Sequence, residues 1–410
     1  MAYSLSRNER IFVQKQTDPR VIPNAAGVAS VAVANYLRFK QARLNPRAAL
    51  LTRPDKTGTR SATRGVLGRK SGSWSIDLSL AGSGTAGTVP PADPILTALF
   101  GQNASVLSGG GAVTNATNAS PIVVSQTAHG YANGDVVYLS AVGGNLAANG
   151  VWVVANVTAG TYDLLGSSGS GAFTSGGTSS RVAVRYALAD AIPSFAMYSF
   201  RTPSSLQQRC AFGCVATQAT FNLGQDVADW QANGESVWVL DSDTFSGADL
   251  IQKGGLNAFP SEPTGSLPAD GGLIAGFTGR AVLGGSTISN IRQASIQVTT
   301  GNDLVKDNFG SYYPEEAEGD ERAVTVNFSV HDRDDAGTKA LYAAALAKTP
   351  VDLVLQTGTA AGNVWVFQLT GVQLDEPALD DGQRRFVRSY SGRATGSAAG
   401  ALDEVALTVI

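Results

Sequence analysis

The sequence predicts a mainly β protein, with two tandem β-sandwich or partly closed barrel domains, each carrying a short helix, plus an inserted small all-β domain. Three observations predict it. Residues 68–80, GRKSGSWSIDLSL, and 319–330, GDERAVTVNFSV, both run from a charged turn into a strand with one buried face, as if one strand were written twice. In the second copy Val324, Val326, Phe328 and Val330 alternate with Thr325, Asn327 and Ser329. The composition, 47 Gly with only 15% charged residues, is that of a turn-rich globular β chain. Between the two copies, residues 101–180 carry only Asp135 and Asp163 as charges, so this stretch is a compositional world of its own.

The elements follow one order in both halves. In the first, NYLRFKQARL leads through a long loop to SWSIDLSL, a Gly-rich turn and the helical ADPILTALFG. Pro94 suits the first turn of that helix, and Ile95, Leu96, Leu99 and Phe100 form its apolar stripe. The chain then enters the insert, where IVVSQ, DVVYLSAV, VWVVANV and TYDLLG are short β-rich runs separated by Gly-containing turns. FAMYSF, QRCAFGCVATQATFNL and ESVWVLDS complete the first half. In the second, ISNIRQASIQV, a long loop to Arg322, AVTVNFSV, the helix DDAGTKALYAAALA, VDLVLQTG, NVWVFQLTGVQLDEP and QRRFVRSYSGRA repeat the order. Asp334 or Asp335 caps the second helix, Leu341, Tyr342, Ala345 and Leu346 give it an apolar stripe, and Pro350 follows its end. The boundaries are 1–105 with 181–245 for the first unit, 106–180 for a surface-exposed insert, and 246–410 for the second unit.

Chemistry-bearing motifs are sparse, and the sequence predicts no enzyme, cofactor or metal. GSGTAG at 82–87 matches a dinucleotide-binding spacing, but Val89, Pro90 and Pro91 follow where a helix would have to begin. HDRDD at 331–335 lacks the spaced ligands of a calcium loop, and a strand-to-helix turn needs those acids as caps. PEEAEGDE at 314–321 reads as a solvated or partner-facing loop, and His129 as turn geometry. Cys210 and Cys214, four residues apart on one strand face, lie about 13 Å apart and form no disulfide. No apolar run approaches the roughly 20 residues of a membrane span. The N-terminus MAYSLSRNERIFVQKQ has no apolar stretch after its charges, which predicts synthesis in the cytosol without a cleaved signal.

Charge is uneven along the chain. Residues 1–75 hold 14 Lys or Arg against 3 acids, while residues 226–410 hold 12 against 25. The two long loops sharpen the contrast. From Asn45 to Lys70 the first holds Arg47, Arg53, Lys56, Arg60, Arg64, Arg69 and Lys70 against Asp55 alone. From Gly301 to Arg322 the second holds Asp303, Asp307, Glu315, Glu316, Glu318, Asp320 and Glu321 against Lys306 and Arg322. The basic portion would supply phosphate contacts in a nucleic-acid-binding protein, although aromatic interleaving is limited to Tyr36, Phe39 and Trp74. A phage adhesin or fibre-like binding protein would use the insert and its loops, but leaves the duplication unexplained.

The strand GDERAVTVNFSV, the acidic turn and helix after it, VDLVLQTGTAAGNVWVFQL, the loop DEPALDDGQRR and the ending DEVALTVI resemble, in pattern and order, the siphophage tail tube proteins, also called major tail proteins. The resemblance covers both units, about four fifths of the chain. The insert, with TAHGYANGDVVYLSAVGG, NGVWVVANV and GAFTSGG, resembles a small β module that recurs in phage structural proteins and is distantly similar to a β-barrel of ubiquitin-activating enzymes. The resemblance implies a structural protein of the virion tail, assembled in the host bacterial cytoplasm. Its copies would stack as rings, trimeric and pseudo-hexameric, into a hollow tube that passes DNA without binding it specifically. Tape measure, terminator and distal tail proteins would meet the tube ends, and no membrane is involved. The two long loops would reach neighbouring subunits, so their charged residues are the candidate contact residues.

Overall fold

The computed structural model describes residues 6–410 except 23, 26–27, 30, 53, 55, 57, 62–63, 202–207, 246–257, 289 and 383. The chain is mainly β, with two α-helices among the described residues. The first unit contains β1 (Glu9–Gln16), β2 (Tyr36–Leu37), β3 (Gln41–Leu51), β4 (Val66–Ser79), α1 (Asp93–Phe100), β5 (Ser194–Arg201), β6 (Arg209–Leu223), β7 (Asp229–Ser236) and β8 (Trp238–Asp241). The second contains β9 (Arg280–Leu283), β10 (Ser286–Ile288), β11 (Ile291–Thr299), β12 (Ala323–His331), α2 (Ala336–Ala347), β13 (Val351–Thr357), β14 (Trp365–Leu374), β15 (Ala378–Asp380), β16 (Val387–Ala394) and β17 (Val405–Val409).

Pairings repeat as faithfully as order. An outer sheet joins β2–β1–β5–β6–β8 in the first unit and β10–β9–β13–β14–β17 in the second. An inner sheet joins β3–β4–β7–β6 and β11–β12–β16–β14, with β15 continuing the last position along β16. β6 and β14 are therefore the long strands that pass from one sheet to the other. The two inner sheets are one: β6 pairs with β11 from Gln218↔Thr299 to Leu223↔Ala294, so the units meet in a continuous antiparallel seam.

Alternation fixes the inner sheet's faces, because successive strand residues point to opposite sides. Trp74, Ile76 and Leu78 in β4, and Val324, Val326 and Phe328 in β12, face a core shared by both units. Phe221 in β6 stacks on Trp230 at 5.2 Å and lies 4.9 Å from Phe367 of the second unit. Stacking of Phe328 on Tyr390 at 5.3 Å occupies the equivalent place in the second unit.

One parity differs from the sequence reading. Cys210 and Cys214 lie on opposite faces of β6, in different clusters, rather than on one face. The cause is an irregularity at Gly213 (φ 60°), where the register with β5 shifts between Phe195 and Met197. An extra residue in a strand reverses the parity beyond it. Both thiols are buried, which pushes their pKa upward.

Both helices form as their caps dictate. Pro94 opens α1 and Gly101 closes it in the left-handed region. Asp335 caps α2 by accepting from the Thr338 amide at 2.7 Å, and Lys348 (φ 53°) ends it two residues before Pro350. Every residue of α1 from Pro94 to Phe100 is buried, whereas in α2 only Thr338, Leu341 and Ala345 are. The difference lies in what covers α1. The strand Ala183–Ala187 packs over it, with the Tyr186 hydroxyl donating to Asp93 at 2.9 Å and its ring 5.9 Å from Phe100.

The insert forms a seven-stranded sheet of its own between Gly110 and Ser180, around Ile122, Val124, Leu139, Tyr162 and Leu164. Its flanking strands Ser105–Leu107 and Ala183–Ala187 pair with each other, and the latter with β17, so both extend the second unit's outer sheet. The module also packs on that sheet. Val136, Val151 and Val153 meet Val282, Val354 and Val366. Arg280 stacks on Trp152 at 3.9 Å and donates to the Val151 carbonyl at 2.8 Å. Because the alternate residues Ala281, Leu353, Leu355 and Phe367 face the shared core, the insert sits on the far side of the sandwich from the inner sheet.

Candidate subunit interface

A sheet made of two like units has two like ends. Inside the chain, the last inner strand of unit one (β6) takes the first inner strand of unit two (β11). The corresponding first strand, β3, and last position, β14–β15, are the outer edges of the inner sheet. Among the described residues β3 pairs only with β4, and β14 beyond Val372 and β15 pair only with β16. Unpaired edges invite another strand, and proteins guard them with cationic side chains. Each edge here carries one. Arg209 Nη1 donates to the Leu44 carbonyl at 2.9 Å, and Lys348 Nζ to the Leu374 carbonyl at 3.1 Å. The Leu374 carbonyl lies on the open side, because the next amide, that of Asp375, bonds inward to Ser391 at 2.7 Å.

The first long loop is strand at both of its ends. β3 and β4 continue as a two-stranded ribbon through Arg47↔Ser71 to Leu51↔Val66, and only residues 52–65 lie beyond it. Leu50, Leu51, Val66 and Leu67 on this ribbon are each more than half exposed, which is unusual for adjacent large apolar residues. Arg47, Lys56, Arg60 and Arg64 are exposed along the same arm. Arg53 lies outside the described residues.

The second long loop carries the short hairpin Asn302–Leu304 with Ala317–Gly319 and folds back over the first unit. Arg69 donates to the carbonyls of Asp307 and Asn308 at 3.1 and 2.9 Å, and the Lys70 amide to that of Tyr312 at 3.0 Å. The Lys70 ammonium lies 5.0, 5.2 and 5.8 Å from the rings of Trp238, Tyr312 and Tyr313. Glu315 pairs with Arg20 at 3.3 Å, and Lys306 bridges Asp303 and Glu235. Burial pushes the Glu235 carboxyl pKa up. Glu321 pairs with Arg393 of its own unit. Glu316, Glu318 and Asp320 are exposed, with the Glu316 carbonyl accepting from Val305 and the Asp320 amide donating to Gly301. The structure thus brings Arg69 and Lys70 together with the acidic loop inside one chain.

The inner sheet's solvent face is polar and carries charges of both signs, with Arg43, Asp77, Asp229, Glu235 and Arg393 at outward positions. Ser73 and Ser75, Gln218 and Thr220, Gln297 and Thr299, and Thr325 and Asn327 alternate with the core residues across the seam. The remaining motifs are structural. Gly82 and Gly84 of GSGTAG let the backbones of the two units touch: a Cβ on Gly82 would lie 2.1 Å from the Gly362 carbonyl oxygen. In HDRDD, Asp332 pairs with Arg388 at 3.1 Å and Asp334 with Lys339, leaving Asp335 as the cap. His129 accepts from the Tyr131 amide at 3.0 Å and shapes its turn.

No protein-family model matches the chain, and a search of curated proteins finds no match. Among the described residues no helix is long and apolar enough to cross a membrane, and no cluster of three potential metal ligands occurs.

Proposed function

We propose that the chain is the ring-forming subunit of a bacteriophage tail tube, stacking into a hollow channel for DNA delivery. One observation carries this reading: two equivalent units are joined by a sheet seam inside the chain, and the two strands that would make the same seam again are left at its ends. A contact of this head-to-tail kind closes into a ring when its rotation allows. The polar inner face, where Asp77, Asp229 and Glu235 offset Arg43 and Arg393, supports the same reading, since a passage for DNA works better without a basic wall that would retain phosphates. The insert, on the opposite side of the sandwich, then decorates the exterior. The ring would be a trimer, with itself as main partner and other tail proteins at the tube ends, located in the virion tail. Negative-stain imaging of the purified protein should show rings or tubes about 90 to 100 Å wide. Native mass spectrometry should give three chains per ring. Six chains would refute the trimer, and a monomer at all concentrations would refute the tube.

A further inference from the structure

The seam inside the chain specifies how the edges between chains would fit. Equivalent positions follow from register alone. Trp74, Ile76 and Leu78 correspond to Val324, Val326 and Phe328, so their partners Leu44 and Ala42 correspond to Val298 and Ile296. By the same route Ala232 corresponds to Gly392, and Ala219 therefore to Leu374. Asp229 corresponds to Ser389, which places Asn222 at Ala378 and Leu223 at Leu379. Inside the chain Ala219 faces Val298 and Leu223 faces Ala294. Translated to the ends, Leu374 faces Leu44, and Leu379 faces Lys40, with one additional residue taken up at Asp375–Pro377.

A groove lies where this places Leu379. Leu37, Arg38, Phe39 and Lys40 line a cavity of about 210 Å³ beside Trp230 and Trp365. In the second unit the corresponding residues, Ile291, Arg292, Gln293 and Ala294, also line a groove, and there Leu223 of the first unit forms part of the wall. The first groove is lined instead by Pro268 and Leu273 of the segment between the units, with Leu273 68% exposed, while Leu379 stands 55% exposed at the far edge. Charge agrees with the placement. Asp375, Glu376, Asp380 and Asp381 cluster along one edge, and Arg38, Lys40 and Arg43 along the other, although in the separate chain Arg38 pairs with Asp270, Lys40 with Asp229 and Asp375 with Lys348.

We infer that the partner filling this groove is a second copy of the chain, whose Leu374–Asp380 edge adds to β3 with Leu374 opposite Leu44 and with Leu379 seated in the groove as Leu223 is in the seam. The inference rests on the ring-forming reading and names the contact that reading needs. Arg209 and Lys348 hold the two facing carbonyls in the separate chain, and each carbonyl has a second lone pair for the incoming strand.

The register is tested by paired cysteines. Asn45→Cys with Gln373→Cys corresponds to Gln218 and Thr299, which face each other in the seam, and Gln218→Cys with Thr299→Cys serves as the intrachain reference. Cys210 and Cys214 are buried and do not compete. Mild oxidation of assembled protein should give a covalent multimer ladder for the 45/373 pair. It should be roughly tenfold more intense than for the out-of-register pair Gln41→Cys with Gln373→Cys, because a bridge needs Cα atoms within about 7 Å. Rings that form without a preferential ladder would overturn the register and leave the ring reading standing. Absence of rings from the unmodified protein would remove both. Independently, Leu379→Glu should raise the concentration needed for assembly by roughly tenfold or more, with an unchanged melting curve, while Leu379→Met assembles normally. Assembly of Leu379→Glu at the unmodified concentration would overturn the inference.

Discussion

Phe221→Ala probes the joint between the two units most directly. Phe221 is fully buried in β6, between β7 of its own unit and β11 of the other, and its ring meets Trp230 at 5.2 Å and Phe367 at 4.9 Å. Removing the ring forfeits about 2–3 kcal/mol of burial and two aromatic contacts of about 0.5–1.5 kcal/mol each. The sum, about 3–6 kcal/mol, overlaps the range of about 3–5 kcal/mol that cavity-forming Phe→Ala changes cost. Because the lost contact with Phe367 joins the units, the variant should also uncouple them. Calorimetry should resolve one cooperative transition in the parent chain and two in Phe221→Ala. Phe328→Ala, which stacks on Tyr390 within the second unit, should lower stability without separating the transitions. A loss below about 1 kcal/mol, or equal splitting by both variants, would refute the idea that the seam couples the units.

Two further outcomes are expected. Arg280→Ala removes the stack on Trp152 and the bond to the Val151 carbonyl, so hydrogen exchange should rise in residues 134–166 and stay unchanged in β3 and β4; equal exchange in both variants would mean the valine contacts alone seat the insert. His331, at the end of β12, is held below its usual pKa by burial first, then by the fields of Arg292, Arg385 and Arg333. A depressed histidine favours the neutral folded form, so its contribution is present above the unfolded value of about 6.5 and is lost as pH falls through the folded one. Urea midpoints should therefore fall more steeply below about pH 6.5 in the parent than in His331→Gln, and parallel curves would exclude His331 as a source of acid sensitivity.

The strands whose faces are legible in the sequence are those with one wet face. β4 and β12 alternate cleanly because the inner sheet separates core from solvent, and the insert's runs at 122–125 and 161–164 follow the same rule, whereas 136–140 and 150–155 are buried on both faces where the insert packs on the outer sheet. β5, legible as the run FAMYSF, is buried from Ser194 to Phe200 and shows no alternation that would tell its two faces apart. β7 was hidden by the turn-like Asn233 and Gly234, yet Gly234 is there because a Cβ would lie 1.9 Å from the Val215 carbonyl oxygen. The Cys210 and Cys214 faces could not be read without knowing that Gly213 breaks the parity. The charged loops were legible as a pair, but not that Arg69 and Lys70 already meet the acidic loop within one chain. That contact joins residues more than 200 positions apart in sequence, as with Arg69 and Asp307, and the seam pairs Gln218 with the distant Thr299, so no local pattern encodes either.

The seam also constrains how many copies a ring can hold. If the contact between chains repeats the contact inside one, each chain brings two units and a ring contains an even number of them. With four inner strand positions per unit, spaced about 4.8 Å and tilted about 40°, two chains enclose a backbone diameter of roughly 32 Å, or about 22 Å after side chains. That is barely the width of a DNA rod of about 20 Å and leaves no layer of water around it. Three chains give roughly 48 Å, or about 38 Å free, which passes the duplex with its hydration and counterions. In the proposed ring the duplication therefore lets three chains do what six single units would. It also makes half of the seams covalently linked, so that they form on folding and only the other half depend on concentration. A chain cut between residues 245 and 258, separating the units, should still form the internal seam by its shared core, but should assemble with a steeper concentration dependence than the intact chain. Light scattering across a dilution series measures this, and identical curves would mean that the linkage between the units contributes nothing to ring assembly.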